Sequence, residues 1–204
     1  MFNLSPQELK ILRKLKTPIK IQDFLDTLPI NFEEPEPTYL SPRRVLRERK
    51  AHCLEGALLA AAALWLHGEP PLLLDLKTTN ADEDHVVALY KRNGYWGTIS
   101  KTNHTSLRFR DPVYRTLREL ALSYFHEYFI NKTGSKTLRS YSCAFNLKQF
   151  GTSWITAEEN LDEIAEALDH SLHFPLLPTK NKRYLRPASK LERQAGHLTE
   201  WPKL

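Results

Sequence analysis

Cys53 and His85 are the two residues of this 204-residue chain whose types and spacing indicate nucleophilic chemistry. Cys53 directly precedes a long apolar run, so the sequence places it in the first turn of a helix. Unpaired backbone N–H groups and the positive end of the helix dipole favour a thiolate at such a position, and the same N–H groups can stabilise an oxyanion. Lys50 and His52 add positive charge beside it. His85 comes 32 residues later, at the start of a predicted strand, and can supply the base that a cysteine nucleophile needs.

The structural alternative for Cys53 is a small thiol buried in the core, and the alternative for His85 is a histidine whose ring is satisfied by hydrogen bonds. The second cysteine, Cys143, has none of the context of Cys53, and we interpret it as structural. Neither His-x-x-x-His nor Cys-x-x-Cys spacing occurs in the chain, so we expect no metal site.

Helical and strand patterns around the pair give the elements that must position it. The segment after Cys53 is apolar nearly all round and stops at Gly68, which is typical of a buried central helix. Asn93-Gly94 separates two runs of β-forming residues and is the strongest short hairpin signal. The predicted helices lie at about 6–16, 19–28, 53–67, 112–129 and 156–169, and the predicted strands lie at 72–76, 85–90, 95–100 and within 138–147. Cys53 therefore begins the central helix, and His85 begins the hairpin.

Three short runs of sequence surround this pair. They are Cys53-Leu54-Glu55-Gly56-Ala57, His85-Val86-Val87-Ala88-Leu89-Tyr90 and Trp96-Gly97-Thr98-Ile99. In this order they resemble the transglutaminase-like cysteine protease superfamily, and are similar to bacterial transglutaminase-like peptidases and to the leader peptidases of lasso-peptide biosynthesis. The resemblance covers roughly residues 40–130.

The resemblance implies an α+β fold with a papain-like core, in which a central buried helix bearing the cysteine packs on an antiparallel sheet bearing the histidine. It also implies hydrolysis or acyl transfer at peptide or isopeptide amide bonds, through a thioester intermediate. The substrate would be a peptide or protein, and neither a metal nor an organic cofactor would be needed.

The third residue of the site is where the chain departs from this family, which places an Asp at the end of the strand that follows the histidine strand. Alignment on Trp96 puts Ser100 there, a residue that accepts a hydrogen bond but carries no charge. Asn103 is our first choice for orienting the imidazole, because an amide does so in papain-like proteases, followed by Ser100 and Asp111. The predicted catalytic set is therefore Cys53, His85 and Asn103. The missing Asp also motivates a second hypothesis, a catalytically silent binding module of the same fold.

Charge is unevenly distributed along the chain. Lys and Arg number 29 against 24 Asp and Glu, but the net charge of +5 lies entirely within residues 178–204. We divide the chain into an N-terminal helical lead-in (1–40), a transglutaminase-like domain (41–177) and a basic, flexible tail (178–204). Nucleic-acid contact through the tail is a third hypothesis, disfavoured because residues 1–177 contribute no basic surplus.

The sequence also gives expectations about the cellular location of the protein. The longest apolar run, Ala57–Leu66, has ten residues, about half of the roughly 20 that a membrane-spanning helix needs. The N-terminus lacks the pattern of a signal peptide, and two cysteines are too few for a disulfide framework. We therefore expect a cytoplasmic protein with reduced thiols and no membrane partner.

Overall fold

The structure, a computed structural model, describes residues 2–202. Seven α-helices and seven strands occur within this range. The helices are α1 (Pro6–Lys14), α2 (Pro18–Asp26), α3 (Pro42–Glu48), α4 (Cys53–Leu66), α5 (Leu117–Phe125), α6 (Asp162–Asp169) and α7 (Lys190–Gly196). The strands are β1 (Leu72–Lys77), β2 (His85–Arg92), β3 (Tyr95–Ile99), β4 (Arg110–Tyr114), β5 (Ser140–Ser142), β6 (Phe145–Asn146) and β7 (His173–Pro175). Three short 3-10 helices lie at 147–150, 153–155 and 179–184.

The sheet is antiparallel throughout. Its strands follow the order β4-β3-β2-β1-β5-β7, with β6 pairing with β1 as well. The β2–β3 hairpin turns at Asn93-Gly94, and both residues have positive φ, as the sequence predicts for a tight hairpin. The chain is therefore an α+β protein, as expected.

Helix α4 lies at the centre of one core. Apart from Glu55 it is apolar nearly all round, and eleven of its fourteen residues are buried, so tertiary contacts surround it as they must for such a helix. Leucines of α1, α2 and α3 pack on it, together with Leu73 of β1 and Val86 and Ala88 of β2. A second core lies on the other face of the sheet, where α5 packs against Val87 and Leu89. The alternating side chains of β2 thus join two apolar layers.

Two predicted helices differ in extent from the structure. The segment 112–129 forms β4 first and then α5, because Arg110 and Tyr114 pair with β3 and Thr116 caps the shorter helix by accepting from the Glu119 amide. The predicted helix at 156–169 begins only at Asp162. Residues 157–161 are irregular and bond to a distant segment: the Ser41 hydroxyl donates to the Ala157 carbonyl, and the Leu161 amide donates to the Tyr39 carbonyl. The segment 138–147 holds two short strands rather than one.

The two ends of the described chain pack on its middle. Leu12, Ile21 and Leu25 from the predicted lead-in belong to the same core as α4. In the segment predicted to be a flexible tail, residues 178–202 instead fold against the body; for example, the Ala188 amide donates to the Gly134 carbonyl at 2.8 Å. Lys203 lies outside the described residues. Within residues 2–202 no helix has the length and apolar character needed to cross a membrane.

Candidate active site

Cys53 occupies the first position of α4 and is half-buried. It lines a cleft of about 560 Å³ that His85, Asn103 and Tyr128 also line. An amide at the start of a helix has no acceptor within that helix, so the Cys53 N–H is a donor at the edge of the cleft. The thiol therefore has the access and the backbone setting of a nucleophile.

His85 is buried at the start of β2, where it pairs with Leu76 of β1. Its Nε2 lies 2.8 Å from the hydroxyl oxygen of Ser100, just beyond the end of β3. That hydroxyl donates its own proton to the Leu107 carbonyl at 2.6 Å, so it has only lone pairs to offer the ring. Nε2 of His85 must then carry the hydrogen, which leaves Nδ1 as the basic nitrogen.

Ser100 is held rigidly by α2. The side-chain amide of Gln22 accepts from the Ser100 backbone N–H at 2.9 Å and donates to the Ser100 carbonyl at 2.8 Å. Both residues are buried. Sequence reasoning missed Gln22, because its partner lies 78 residues away in the chain and a lone Gln in a short helix carries no signal.

The structure does not bring Asn103, our first choice of orienting residue, to the ring of His85. The side chain of Asn103 holds the C-terminal segment instead, donating to the Trp201 carbonyl at 2.9 Å and accepting from the Trp201 amide at 2.8 Å. Asp111 lies exposed on β4. Of the three candidates, Ser100 is the one that contacts the ring of His85.

A second histidine, His52, lies beside the sulfur. Its ring caps α4, and Nδ1 lies 3.9 Å from Cys53 Sγ and 3.3 Å from the Leu54 amide nitrogen. Its other nitrogen, Nε2, donates to the Thr38 carbonyl at 2.8 Å and lies 3.3 Å from a carboxylate oxygen of Glu55. Glu55 has no exposed surface. The sequence pointed to His52 as a nearby cation, but the buried Glu55 behind it was missed.

These contacts set the ionisation of the site. Burial alone raises the pKa of the Cys53 thiol, but hydrogen bonds and positive charge from His52 and His85 outweigh burial and lower the pKa to about 6, against about 8.5 for a free cysteine. Burial likewise opposes a charge on His52, yet its contacts with Cys53 and Glu55 hold its pKa above the usual value. A thiolate is therefore the favoured form of Cys53 at neutral pH.

Gly56 lets the strand end approach the helix start. A Cβ at this position would lie 2.5 Å from Cβ of Lys101, the residue after Ser100. The Lys101 side chain is buried, and its ammonium donates to the carbonyls of Leu25, in the last turn of α2, and of Leu28, just beyond it. The close contact between Gly56 and Lys101 thus brings Ser100 beside the first turn of α4.

One group of carboxylates within residues 2–202 lies close enough to share a cation. Oxygens of Asp75, Asp84 and Asp169 all fall within 4.8 Å of one another. The ammonium of Lys77 lies 2.5 Å from Asp169, and His173 lies 3.1 Å from Asp75. Side chains of the protein therefore already supply positive charge to this cluster.

Comparison with known proteins gives no family for the chain. No protein-family model matches it, and no curated protein sequence matches it. The functional interpretation therefore depends on the residues and geometry described above.

Proposed function

We propose that this protein is a cysteine-nucleophile hydrolase or acyl transferase, with a papain-like core of the transglutaminase-like kind, that acts on peptide or isopeptide amide bonds. One observation carries the proposal: a half-buried Cys53 at a helix N-terminus shares a cleft with His85, whose ring is fixed by Ser100. A nucleophile, a base and a group that orients the base are the components of covalent acyl transfer.

In the first half of the proposed reaction the Cys53 thiolate attacks the carbonyl carbon, and a C–S bond forms. The developing oxyanion accepts a hydrogen bond from the Cys53 backbone N–H. Protonated His85 then gives its Nδ1 proton to the leaving amine as the C–N bond breaks, which leaves a thioester on Cys53.

In the second half, neutral His85 takes a proton from water, and the hydroxide equivalent attacks the thioester carbonyl. The C–S bond breaks, the acid product leaves, and the thiolate and imidazolium are restored. An amine in place of water would give transfer rather than hydrolysis. We favour hydrolysis because water is always available as the acceptor.

The proposal is tested by acylation of Cys53 with p-nitrophenyl acetate, an activated ester that reports on the nucleophile without a known substrate. We expect a burst of p-nitrophenolate and an acetyl thioester on Cys53, found by mass spectrometry of the digested protein. The Cys53→Ser variant is the control for attack by other side chains, and Cys143→Ser is the matched control for the second thiol.

Two results would contradict the proposal: no acyl group on Cys53, or the same rate of p-nitrophenolate release from Cys53→Ser. Either result would favour the catalytically silent binding module, in which the cleft binds a peptide without turning it over.

A further inference from the structure

Glu55 is an unusual residue to find at the start of a buried helix, because it has no exposed surface. Four groups donate to its carboxylate: the Asn31 side chain, the Thr38 hydroxyl, and the backbone N–H groups of Leu40 and His52, at 2.8–3.1 Å. Burial raises the pKa of this carboxyl, but the hydrogen bond and positive charge of the His52 ring, followed by hydrogen bonds from Asn31 and the Leu40 amide, outweigh burial and hold the pKa below its usual value. A buried negative charge of this kind normally has a positive partner.

His52 is the group placed to be that partner. Its Nε2 lies 3.3 Å from Glu55, and its Nδ1 lies 3.9 Å from Cys53 Sγ, so the ring stands between a buried carboxylate and the sulfur. The two contacts of Nδ1 need opposite protonation states. A neutral ring accepts from the Leu54 amide, whereas a protonated ring donates to the thiolate. The negative charge of Glu55 favours the protonated ring.

We propose that His52, held by the buried Glu55, is a positioning residue that stays protonated and stabilises the Cys53 thiolate independently of His85. The inference rests on the proposed function, because it assigns a role within the same site. If the proposal holds, the two histidines have different roles. His52 keeps its proton throughout the cycle, and His85 is the histidine that gives and takes protons.

Other ionisable groups face this pair and enter any measurement of its pH dependence. Glu33 reaches within 3.8 Å of His52 Nε2. Tyr128 lines the cleft from the far side, and its pKa is raised by burial and then by the charge on Cys53. The remaining ionisable groups that line the cleft are Asp82, Glu83, Asp84, His85, Lys101, His104 and Glu127. The negative charges of the carboxylates disfavour a thiolate on Cys53. A second positive charge beside the sulfur therefore contributes more to stabilising that thiolate.

The test is the pH dependence of Cys53 alkylation by iodoacetamide, measured in a Cys143→Ser background. The parent should reach half of its maximal rate near pH 6, where the pKa of Cys53 lies. His52→Asn keeps a side chain that can cap α4 but cannot be protonated. We expect its midpoint to move up to about 8, toward the value of a free thiol, because His85 remains beside the sulfur.

Matched variants separate the roles of the neighbours. Glu55→Gln retains the shape of the side chain and removes the charge, so we expect its midpoint to lie between those of the parent and His52→Asn. In His85→Asn the midpoint should stay below that of a free thiol, because the His52 charge remains. Thermal unfolding shows whether each variant is folded, which separates a loss of charge from a loss of structure.

The proposal is overturned if folded His52→Asn titrates like the parent. If that variant does not fold, NMR of the imidazole signals in the parent decides the matter. A His52 ring that is protonated at pH 8 supports the proposal, and one that is neutral at pH 7 overturns it. Both readouts are independent of acyl transfer. A failure to acylate Cys53 would therefore count against the proposed function and leave this measurement intact.

Discussion

Ser100 shows how an uncharged residue can hold the imidazole of His85 in one orientation. Its hydroxyl donates to the Leu107 carbonyl, so the hydroxyl oxygen can only accept a hydrogen bond from His85. That arrangement fixes the tautomer of the ring as a carboxylate would. It does not add the negative charge that would stabilise an imidazolium, so in this site the neighbouring thiolate must supply that stabilisation.

Replacing Ser100 by Ala should therefore impair His85 without disturbing the sulfur. The variant leaves a buried ring N–H without an acceptor, a loss of about 1–3 kcal/mol, and we expect Cys53 acylation to slow by about ten- to hundred-fold. The measurement is the rate of p-nitrophenolate release in the burst.

Asn103→Ala is the matched control for that experiment. It removes an equally polar side chain from the same cleft but touches only the backbone of Trp201, so acylation should remain within a few-fold of the parent rate. A larger loss in Asn103→Ala than in Ser100→Ala would restore the assignment made from the sequence. Ser100→Thr, which keeps the hydroxyl, should retain most of the activity.

The sequence pointed to the proposed nucleophile and base more readily than to the group behind them. Cys53 and His85 are marked by local context, a helix start and a strand start, which short patterns reveal. The choice among Ser100, Asn103 and Asp111 depends on partners far along the chain. The side-chain amide of Asn103, which we expected to face the ring of His85, instead bonds to Trp201, 98 residues further along the chain.

At the scale of elements, the run Cys-Leu-Glu-Gly has a physical explanation in how α4 meets the sheet. Cys53 takes the half-buried first position, Glu55 turns inward to His52, and Gly56 provides the space for Lys101. Positions 53, 55 and 56 each meet a separate structural requirement at this helix start. That explains why this short run of sequence accounts for so much of the resemblance.

Gly56→Ala should destabilise the fold even though Ala is the better helix former by about 1 kcal/mol. The added methyl would sit 2.5 Å from Cβ of Lys101, and overpacking of this kind costs about 1–3 kcal/mol. We expect a net fall in the free energy of unfolding, measured by urea denaturation. In a Lys101→Gly background, which lacks that Cβ, Gly56→Ala should be neutral or stabilising. An equal loss in both backgrounds would show that the close contact is not the cause.

Elements set by local pattern were predicted well, and those set by distant pairing were not. α4 follows from its own apolar sequence, and the hairpin follows from Asn93-Gly94. By contrast, β4 is a strand because it pairs with the edge of β3. Its own sequence is equally compatible with the first turn of a helix. The short helix α6 starts late for a related reason, since the residues before it are irregular and the Leu161 amide donates to the distant Tyr39 carbonyl.

At the scale of the whole molecule, both ends of the described chain support the site. Gln22 from the N-terminal segment fixes Ser100, and Asn31 and Thr38 hold Glu55. The C-terminal segment lies along the loop that follows β3, through Trp201 and through an ion pair between Glu200 and Arg108. The division at residues 40/41 and 177/178 stays a prediction, but a protein lacking either end would lose contacts that position the cleft.

Hydrogen exchange tests whether the basic C-terminal segment is fixed in solution. The amide of Ala188 donates to Gly134, that of Glu200 to the Asn103 carbonyl, and that of Trp201 to the Asn103 side chain. We therefore expect all three amides to be protected, which a flexible tail would not allow.

Asn103→Ala makes this test specific to one contact. The variant removes both side-chain hydrogen bonds to Trp201, worth about 1–3 kcal/mol together, so the Trp201 amide should exchange about five- to hundred-fold faster. Ala188 lies on the other side of α7 along the chain and keeps its own acceptor, so its protection should not change. Complete exchange of all three amides at the earliest time point in the parent would show instead that the segment is mobile. The net charge of +5 would then belong to a free tail, and contact with nucleic acid through it would again need to be tested.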